Sequence, residues 1–271
     1  MSYPRTALIS DLHGNEPALL TAIAHARERG VERYVCLGDV IGYGARPRQA
    51  LELVMQLCVP GARDPGTGAA LLDGLCLLGN HEYALFHSSE DFNPKARAAL
   101  DWTREELVRA PATKGLPDYF DFLGGLAPMA CDEVAMFAHG SPRDPVKEYM
   151  LPRDAQNPGK LTANFARMER SVCFVGHSHV PAVYYEDGTL FRPRGSEGPY
   201  DLGFAAKKRS IVNVGSVGQP RDGDPRLSYV IFDGRCIEFL RLDYDHAAAA
   251  AAIRAEPDLP EFLAERLSAG R

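Results

Sequence analysis

With 271 residues, 45% of them hydrophobic, the chain is long enough to bury a sizeable core, and one α/β domain fits this length better than two. A formal charge of −6 excludes the broad basic face that DNA or RNA binding needs. No uninterrupted apolar stretch of about 18 residues is available to cross a membrane.

The opening residues, Met1-Ser2-Tyr3-Pro4-Arg5, lack the pattern of a secretory leader, so a cytoplasmic location is expected. Residues 6–10 predict a buried strand. Residues 16–29 predict a helix, with Leu19, Leu20, Ile23 and Ala26 at helical spacing and Gly30 as its stop. A strand over 33–37 and a helix over 47–57, with Pro47 suited to its first turn, follow. The turn formers of 60–68 predict a mobile surface loop, and 75–78 a third strand. Asn93-Pro94 opens a helix over 93–109, in which Trp102 is expected to pack against the core. Further strands are predicted over 134–138, 172–175, 181–185, 210–214 and 227–232, the last forming a hairpin with 237–242 through Asp233-Gly234. Residues 192–209, with the basic run Lys207-Lys208-Arg209, are expected to form a long loop, and a helical tail packed on the body begins near 246. The six cysteines show no CxxC spacing and are expected to be buried free thiols.

The strand, helix, strand rhythm at the start points to parallel β-α-β units. Just beyond five of the apolar runs stand Asp11-Leu12-His13, Gly38-Asp39, Gly79-Asn80-His81-Glu82, His139-Gly140 and Gly176-His177-Ser178-His179. These segments hold five of the eight histidines; His25, His87 and His246 lie elsewhere and are expected to be ordinary surface residues. Ligands of an open α/β sheet collect beyond the C-terminal ends of its strands. Alternate side chains of a strand share a face, so Asp11 and His13 are expected to reach one ion together as the strand ends, and His177 and His179 likewise. Imidazole nitrogen with carboxylate and amide oxygen suits divalent manganese, iron or zinc. Seven candidate ligands, Asp11, His13, Asp39, Asn80, His139, His177 and His179, exceed one ordinary coordination shell. They fit two ions about 3.5–4 Å apart that share a bridging water and lower its pKa for attack on a phosphoester.

These motifs, over residues 6–233, resemble those of the calcineurin-like metallophosphoesterases: Asp-x-His, Gly-Asp, Gly-Asn-His-(Asp/Glu), His and Gly-His-x-His. The chain looks most like a small prokaryotic branch that also carries Gly42-Tyr43-Gly44, Phe92-Asn93-Pro94, Trp102-Thr103, His139-Gly140-Ser141-Pro142 and 215–221, a branch related to diadenosine tetraphosphatase and the Ser/Thr protein phosphatases. The resemblance implies a four-layer α-β-β-α sandwich of two mixed sheets flanked by helices. It implies that Asp11, His13 and His179 hold a first metal, that Asn80, His139 and His177 hold a second, and that Asp39 bridges them. His81 would protonate the leaving oxygen or stabilise charge on the phosphoryl group, and Glu82 would orient its neighbours. The implied reaction is hydrolysis of phosphate mono- or diesters by a metal-bridging hydroxide, with manganese the foremost metal and iron or zinc also fitting.

One departure matters. The protein phosphatases and the tetraphosphatase follow the bridging aspartate with Asp-Arg-Gly, whose arginine clamps phosphate; here Gly42-Tyr43-Gly44 stands in its place. Arg143 or Arg221 is the expected replacement. The substrate is expected to be a phosphoester small molecule, a nucleotide or a phosphopeptide, with loops 60–74 and 192–209 setting the choice. A phosphoprotein phosphatase and a dinucleoside polyphosphate hydrolase are the alternatives within the class. A metal-binding scaffold without turnover is the alternative outside it, and would show erosion at His81 or at a ligand. None is present.

Overall fold

The computed structural model describes residues 3–90, 92–203 and 208–271. In chain order these form β1 (Thr6–Ile9), α1 (Glu16–Glu28), β2 (Arg33–Cys36), α2 (Pro47–Cys58), β3 (Leu75–Cys76), α3 (Asn80–Phe86), α4 (Pro94–Arg109), α5 (Tyr119–Gly124), β4 (Met129–Cys131) and β5 (Ala135–Ala138). A 3-10 turn (Pro152–Gln156), α6 (Pro158–Phe165), β6 (Val172–Val175), β7 (Ala182–Tyr185), β8 (Leu190–Phe191), β9 (Glu197–Asp201), β10 (Ser210–Asn213), β11 (Leu227–Phe232), β12 (Cys236–Leu242), α7 (His246–Arg254) and α8 (Glu261–Ala269) complete the chain.

Two six-stranded mixed sheets result, ordered β3-β2-β1-β11-β12-β9 and β4-β5-β6-β10-β7-β8. In the first, β1, β2 and β3 run parallel; in the second, β5, β6 and β10 do. Strand alternation explains the layering. On β1, Leu8 faces the second sheet with Val35, Phe137 and Phe174, whereas Ala7 and Ile9 face outward onto a helical layer that includes Leu19, Leu51 and Leu263. On the second sheet, Met136 and Cys173 face outward beneath Leu161 and Phe165 of α6. Each sheet is thus covered on both faces, which is why its strands read as continuous apolar runs. The result is the four-layer sandwich, with helices outside and two mixed sheets between.

Helix entries follow local chemistry. Asn15 and Asn93 accept hydrogen bonds from backbone N–H groups in the first turns of α1 and α4, each with a proline in that turn. Trp102 is buried within the helical layer.

Several expectations are corrected. Residues 192–209 are not one loop: β9 pairs antiparallel with β12, Tyr200 opposite Ile237. Gly198 and Pro199 hid it, yet a proline is tolerated on an edge strand, where its missing N–H faces no partner. Lys207 of the basic run lies outside the described residues. Strand β3 is only two residues long, and α3, α5, α6, β4 and β8 were not anticipated, being short and without clear periodicity. His25 is half-buried, its Nδ1 2.8 Å from the Tyr229 hydroxyl. All six cysteines are free, but Cys131 is exposed and Cys236 only half-buried, because they sit on the edge strand β4 and at the hairpin end of β12.

Candidate metal centre

The five motifs converge where the C-terminal ends of β1, β2 and β3 meet those of β5 and β6. Backbone hydrogen bonds from Leu12 and His13 to the Asp39 carbonyl (2.8 and 2.9 Å) tie the first motif to the second. The His177 N–H donates to both Asp11 carboxylate oxygens (3.2 and 3.0 Å), tying one sheet to the other. A Cβ on Gly176 would stand 1.9 Å from Ser10 Oγ, so only glycine allows this approach.

The local conformation differs from the strand-end expectation. β1 stops at Ile9 and β6 at Val175, and Asp11, His13, His177 and His179 lie beyond them. Pleat alternation therefore does not aim these side chains. Left-handed backbone does: Asp11, His13, Asp39, Tyr43, His177 and His179, with φ between 47° and 64°, are the only non-glycine residues of positive φ among the described residues. Such conformations cost free energy and persist only where surroundings hold them, typically at functional sites.

Two groups of ligand atoms form. Asp11, His13, Asp39 and His179 make one, and Asp39, His139 and His177 the other, each with its atoms within 4.8 Å of one another. Asp39 belongs to both. Within the first, His179 Nε2 lies 3.2 Å from Asp11 Oδ1 and 3.3 Å from His13 Nε2. Within the second, His139 Nε2 lies 3.4 Å from Asp39 Oδ2 and 3.1 Å from His177 Nδ1. Asn80 Oδ1 joins it, 3.1 Å from His139 Nε2.

The imidazoles are oriented for metal binding. In each, the nitrogen away from the cluster faces a backbone carbonyl: His13 Nδ1 to Ile41 (3.1 Å), His139 Nδ1 to Leu37 (3.0 Å), His179 Nδ1 to Gln219 (2.5 Å) and His177 Nε2 to Lys147 (3.1 Å). That nitrogen must carry the proton in order to donate, so in a neutral ring the inward nitrogen presents a lone pair. His13 and His179 then face each other lone pair to lone pair, a repulsive contact that a cation turns favourable. This donor set of imidazole, carboxylate and amide oxygen fits divalent transition metals.

The electrostatics agree. Burial holds His13 and His179 well below the ordinary imidazole value and His177 down at about 3. Burial pushes the Asp11 carboxyl up to about 7. Burial opposes ionisation of Asp39 too, but the His139 and His81 rings hold it well below the carboxylate range. His139 moves the other way: burial disfavours its charge, yet the carboxylate of Asp39 draws it up to about 9. A divalent ion would displace that proton.

Glu82 is a clamp. Its carboxylate accepts from the backbone N–H groups of Asp39, Gly79, Val40 and Ile41 at 2.8 to 3.1 Å, fixing two motif loops to each other. His81 is buried but belongs to neither ligand group. Its N–H in the backbone donates to Asp39 Oδ1 (2.9 Å), while its Nδ1 has no hydrogen-bond partner. The rings of Tyr43, His13 and Phe92, with centroids at 4.6, 4.8 and 4.9 Å, hold the imidazole instead. A Cβ on Gly42 would stand 2.1 Å from that Nδ1, which accounts for glycine at φ 87° in the Gly42-Tyr43-Gly44 turn. Burial pulls His81 to about 4, so it is neutral near pH 7.

A cavity of about 270 Å³ opens on the second ligand group, lined by Asp39, Asn80, His81, His177, His179, Tyr43, Phe92, Tyr149 and Arg221 among others. Arg221 reaches it held by the Gln219 side chain (2.9 Å). Arg143 does not: it is exposed and paired with Glu148. Tyr149, stacked on the His177 ring at 3.8 Å, and Tyr83 carried no signal in the sequence. Nor did the carbonyls of Leu37, Ile41, Lys147 and Gln219.

The calcineurin-like phosphoesterase superfamily domain matches residues 5–235. An uncharacterized protein of Methanocaldococcus jannaschii is 34% identical over 278 residues, 98% of this chain and 98% of its own. The crystal structure of a metallophosphoesterase from Sphaerobacter thermophilus is similar with a TM-score of 0.77 at 35% identity, over 99% of this chain and 100% of that one. A hypothetical protein of Pyrococcus horikoshii shares the fold, with a TM-score of 0.74 at 20% identity and 98% of each chain covered. Motifs, layered sheets and these matches lead to one statement: the chain belongs to the calcineurin-like phosphoesterase superfamily, and membership implies a metal-dependent phosphoesterase.

Proposed function

We propose that the protein hydrolyses phosphate mono- or diesters at a dinuclear centre, with manganese the foremost metal. The observation that carries this is the sharing of Asp39 between two ligand groups. Asp11, His13 and His179 would hold one ion, Asn80, His139 and His177 the other, and Asp39 both. Bound there, two divalent ions supply an acidified water and charge stabilisation for an in-line displacement.

The remaining chemistry belongs to the chain. His81, neutral and at the cavity wall, donates a hydrogen bond to the phosphoryl or leaving oxygen as negative charge grows there, rather than entering as a preformed imidazolium. Glu82 keeps the loops carrying Asp39 and Asn80 in register. Arg221 at the cavity wall takes the phosphate-clamping part that the Gly42-Tyr43-Gly44 turn does not provide. Tyr43 and Phe92 exclude water from the His81 ring.

The test is turnover of a chromogenic phosphodiester in manganese and its loss in chelator. His81→Ala should lower kcat by roughly 10²–10⁴-fold with metal content unchanged. Unchanged turnover would remove His81 from the mechanism. A panel of mono- and diesters, cyclic nucleotides, dinucleoside polyphosphates and phosphopeptides under the same manganese condition would then separate the substrate classes.

A further inference from the structure

We propose that Tyr149 is a specificity-determining residue whose ring stacks on a planar aromatic group carried by the substrate, so that aromatic phosphoesters are favoured over aliphatic ones. The inference rests on the phosphoesterase function proposed above and names the chemical class of its substrate.

One face of the Tyr149 ring is already committed. It lies on the His177 imidazole, with centroids 3.8 Å apart and planes 20° from parallel, and His177 belongs to the second ligand group. The rest of the side chain is open. Tyr149 is 42% exposed, and of the large apolar side chains left exposed among the described residues it is the one that lines the cavity. A lone exposed ring on an open surface signifies little, whereas this one stands in a concave site beside a ligand residue. Its backbone is fixed on both sides: the Tyr149 carbonyl accepts from Lys160 Nζ at 2.6 Å, and the next carbonyl, of Met150, accepts from the Tyr184 hydroxyl at 2.9 Å. A ring held in this way has little freedom left to lose on binding.

The cavity wall combines two kinds of side chain. Asp39, Asn80, His81, His177 and Arg221 are polar, whereas Tyr83, Ala84, Phe92 and Ala96 are largely apolar. Phe92 is set edge-on to His81, and Tyr83 is stacked on His87 with centroids 4.0 Å apart, so these rings already have aromatic neighbours. Ala84 and Ala96 add little bulk. A phosphate alone would answer the polar groups and leave the apolar wall in water. A phosphate bearing a flat ring answers both, and the open side of Tyr149 offers that ring a stacking partner.

The experiment uses the manganese-loaded full chain and two pairs of probes, phenylphosphonate against cyclohexylphosphonate and adenosine monophosphate against ribose phosphate. The first pair differs in planarity at nearly equal size and has no ester bond to cleave; the second adds a flat base through a sugar. Each probe is measured as a competitive inhibitor of chromogenic diester hydrolysis and, independently, by calorimetric binding. The wild type should bind the aromatic member more tightly, by at least about threefold in the first pair or about tenfold in the second. The pair that shows the preference tells whether the ring is joined directly or through a spacer. Tyr149→Leu should reduce the preference at least about threefold with metal content unchanged, and Tyr149→Phe should keep it. Tyr200→Leu, at a ring hydrogen-bonded to Glu197 outside the cavity wall, leaves it intact. Tyr149→Met gives the same reading if the leucine variant loses metal. A wild type without preference in either pair, or a leucine variant that retains it, would overturn the proposal. Hydrolysis without aromatic preference sinks only the Tyr149 assignment. A Tyr149-dependent preference seen by calorimetry in a protein that cleaves no ester sinks only the proposed catalysis.

Discussion

Asp11, His13, Asp39, His177 and His179 combine a strained backbone with full burial, and the hydrogen bonds around them offset both. These residues stand out as candidate ligands in the sequence because each motif directly follows an apolar run. Their backbone conformation does not, since neither Asp nor His signals left-handed geometry strongly enough to displace the expectation of strand alternation. The Gly42-Tyr43-Gly44 turn is visible as a departure from Asp-Arg-Gly, but its meaning emerges only when the missing Cβ of Gly42 is found against His81 Nδ1. Gly42→Ala should therefore displace the His81 ring. Its expected signature is a loss of turnover of at least tenfold, a stability cost of roughly 1–3 kcal/mol, and full metal content by elemental analysis. An alanine variant with wild-type turnover would show that the ring tolerates a different seat.

Among the elements, those that pack by a clear period were legible: β1, β2, α1, α2, α4, β5, β6, β10, β11 and β12 match the runs expected of them within a residue or two. Edge strand β9 was masked by Gly198 and Pro199, and α3 by beginning inside the Gly79-Asn80-His81-Glu82 motif. The segment 140–149 has no regular structure, yet it supplies the Lys147 carbonyl to His177 and stacks Tyr149 on the same ring. Glu148 holds it in place. Burial alone would raise its carboxyl, but hydrogen bonds from Arg143, Asn164 and Ser141 hold it down at about 2. The folded value lies below the unfolded one of about 4.3, so its contribution is complete above that pH and is lost as pH falls through the folded value. Glu148→Gln should lower the melting temperature by several degrees at pH 7. That gap should narrow below about pH 4. A gap that stays constant down to pH 2 would contradict this role.

At the scale of the molecule, the two sheets turn the C-terminal ends of their parallel strands toward one point, and loops from both supply each ligand group. Opposed lone pairs and buried carboxylates disfavour the ion-free cluster, so ions bound there would couple metal binding to folding. Removing metal by chelator should lower the melting temperature by several degrees, since free ion at about 100 times its dissociation constant contributes about 2.7 kcal/mol. Restoring manganese should reverse it. A melting temperature indifferent to chelator would mean that the cluster is stable without cations. The sequence places the five motifs at the ends of apolar runs, but no spacing in it connects Arg266 to Tyr43, which lie more than two hundred positions apart and meet only through the packing of the C-terminal helices on the body.

The most direct test is an anomalous-scattering map from crystals grown in manganese. Two peaks about 3.5–4 Å apart are predicted, one among Asp11, His13 and His179, the other among Asn80, His139 and His177, both in contact with the Asp39 carboxylate. A single peak, or two peaks of which Asp39 touches only one, would contradict the shared-carboxylate centre.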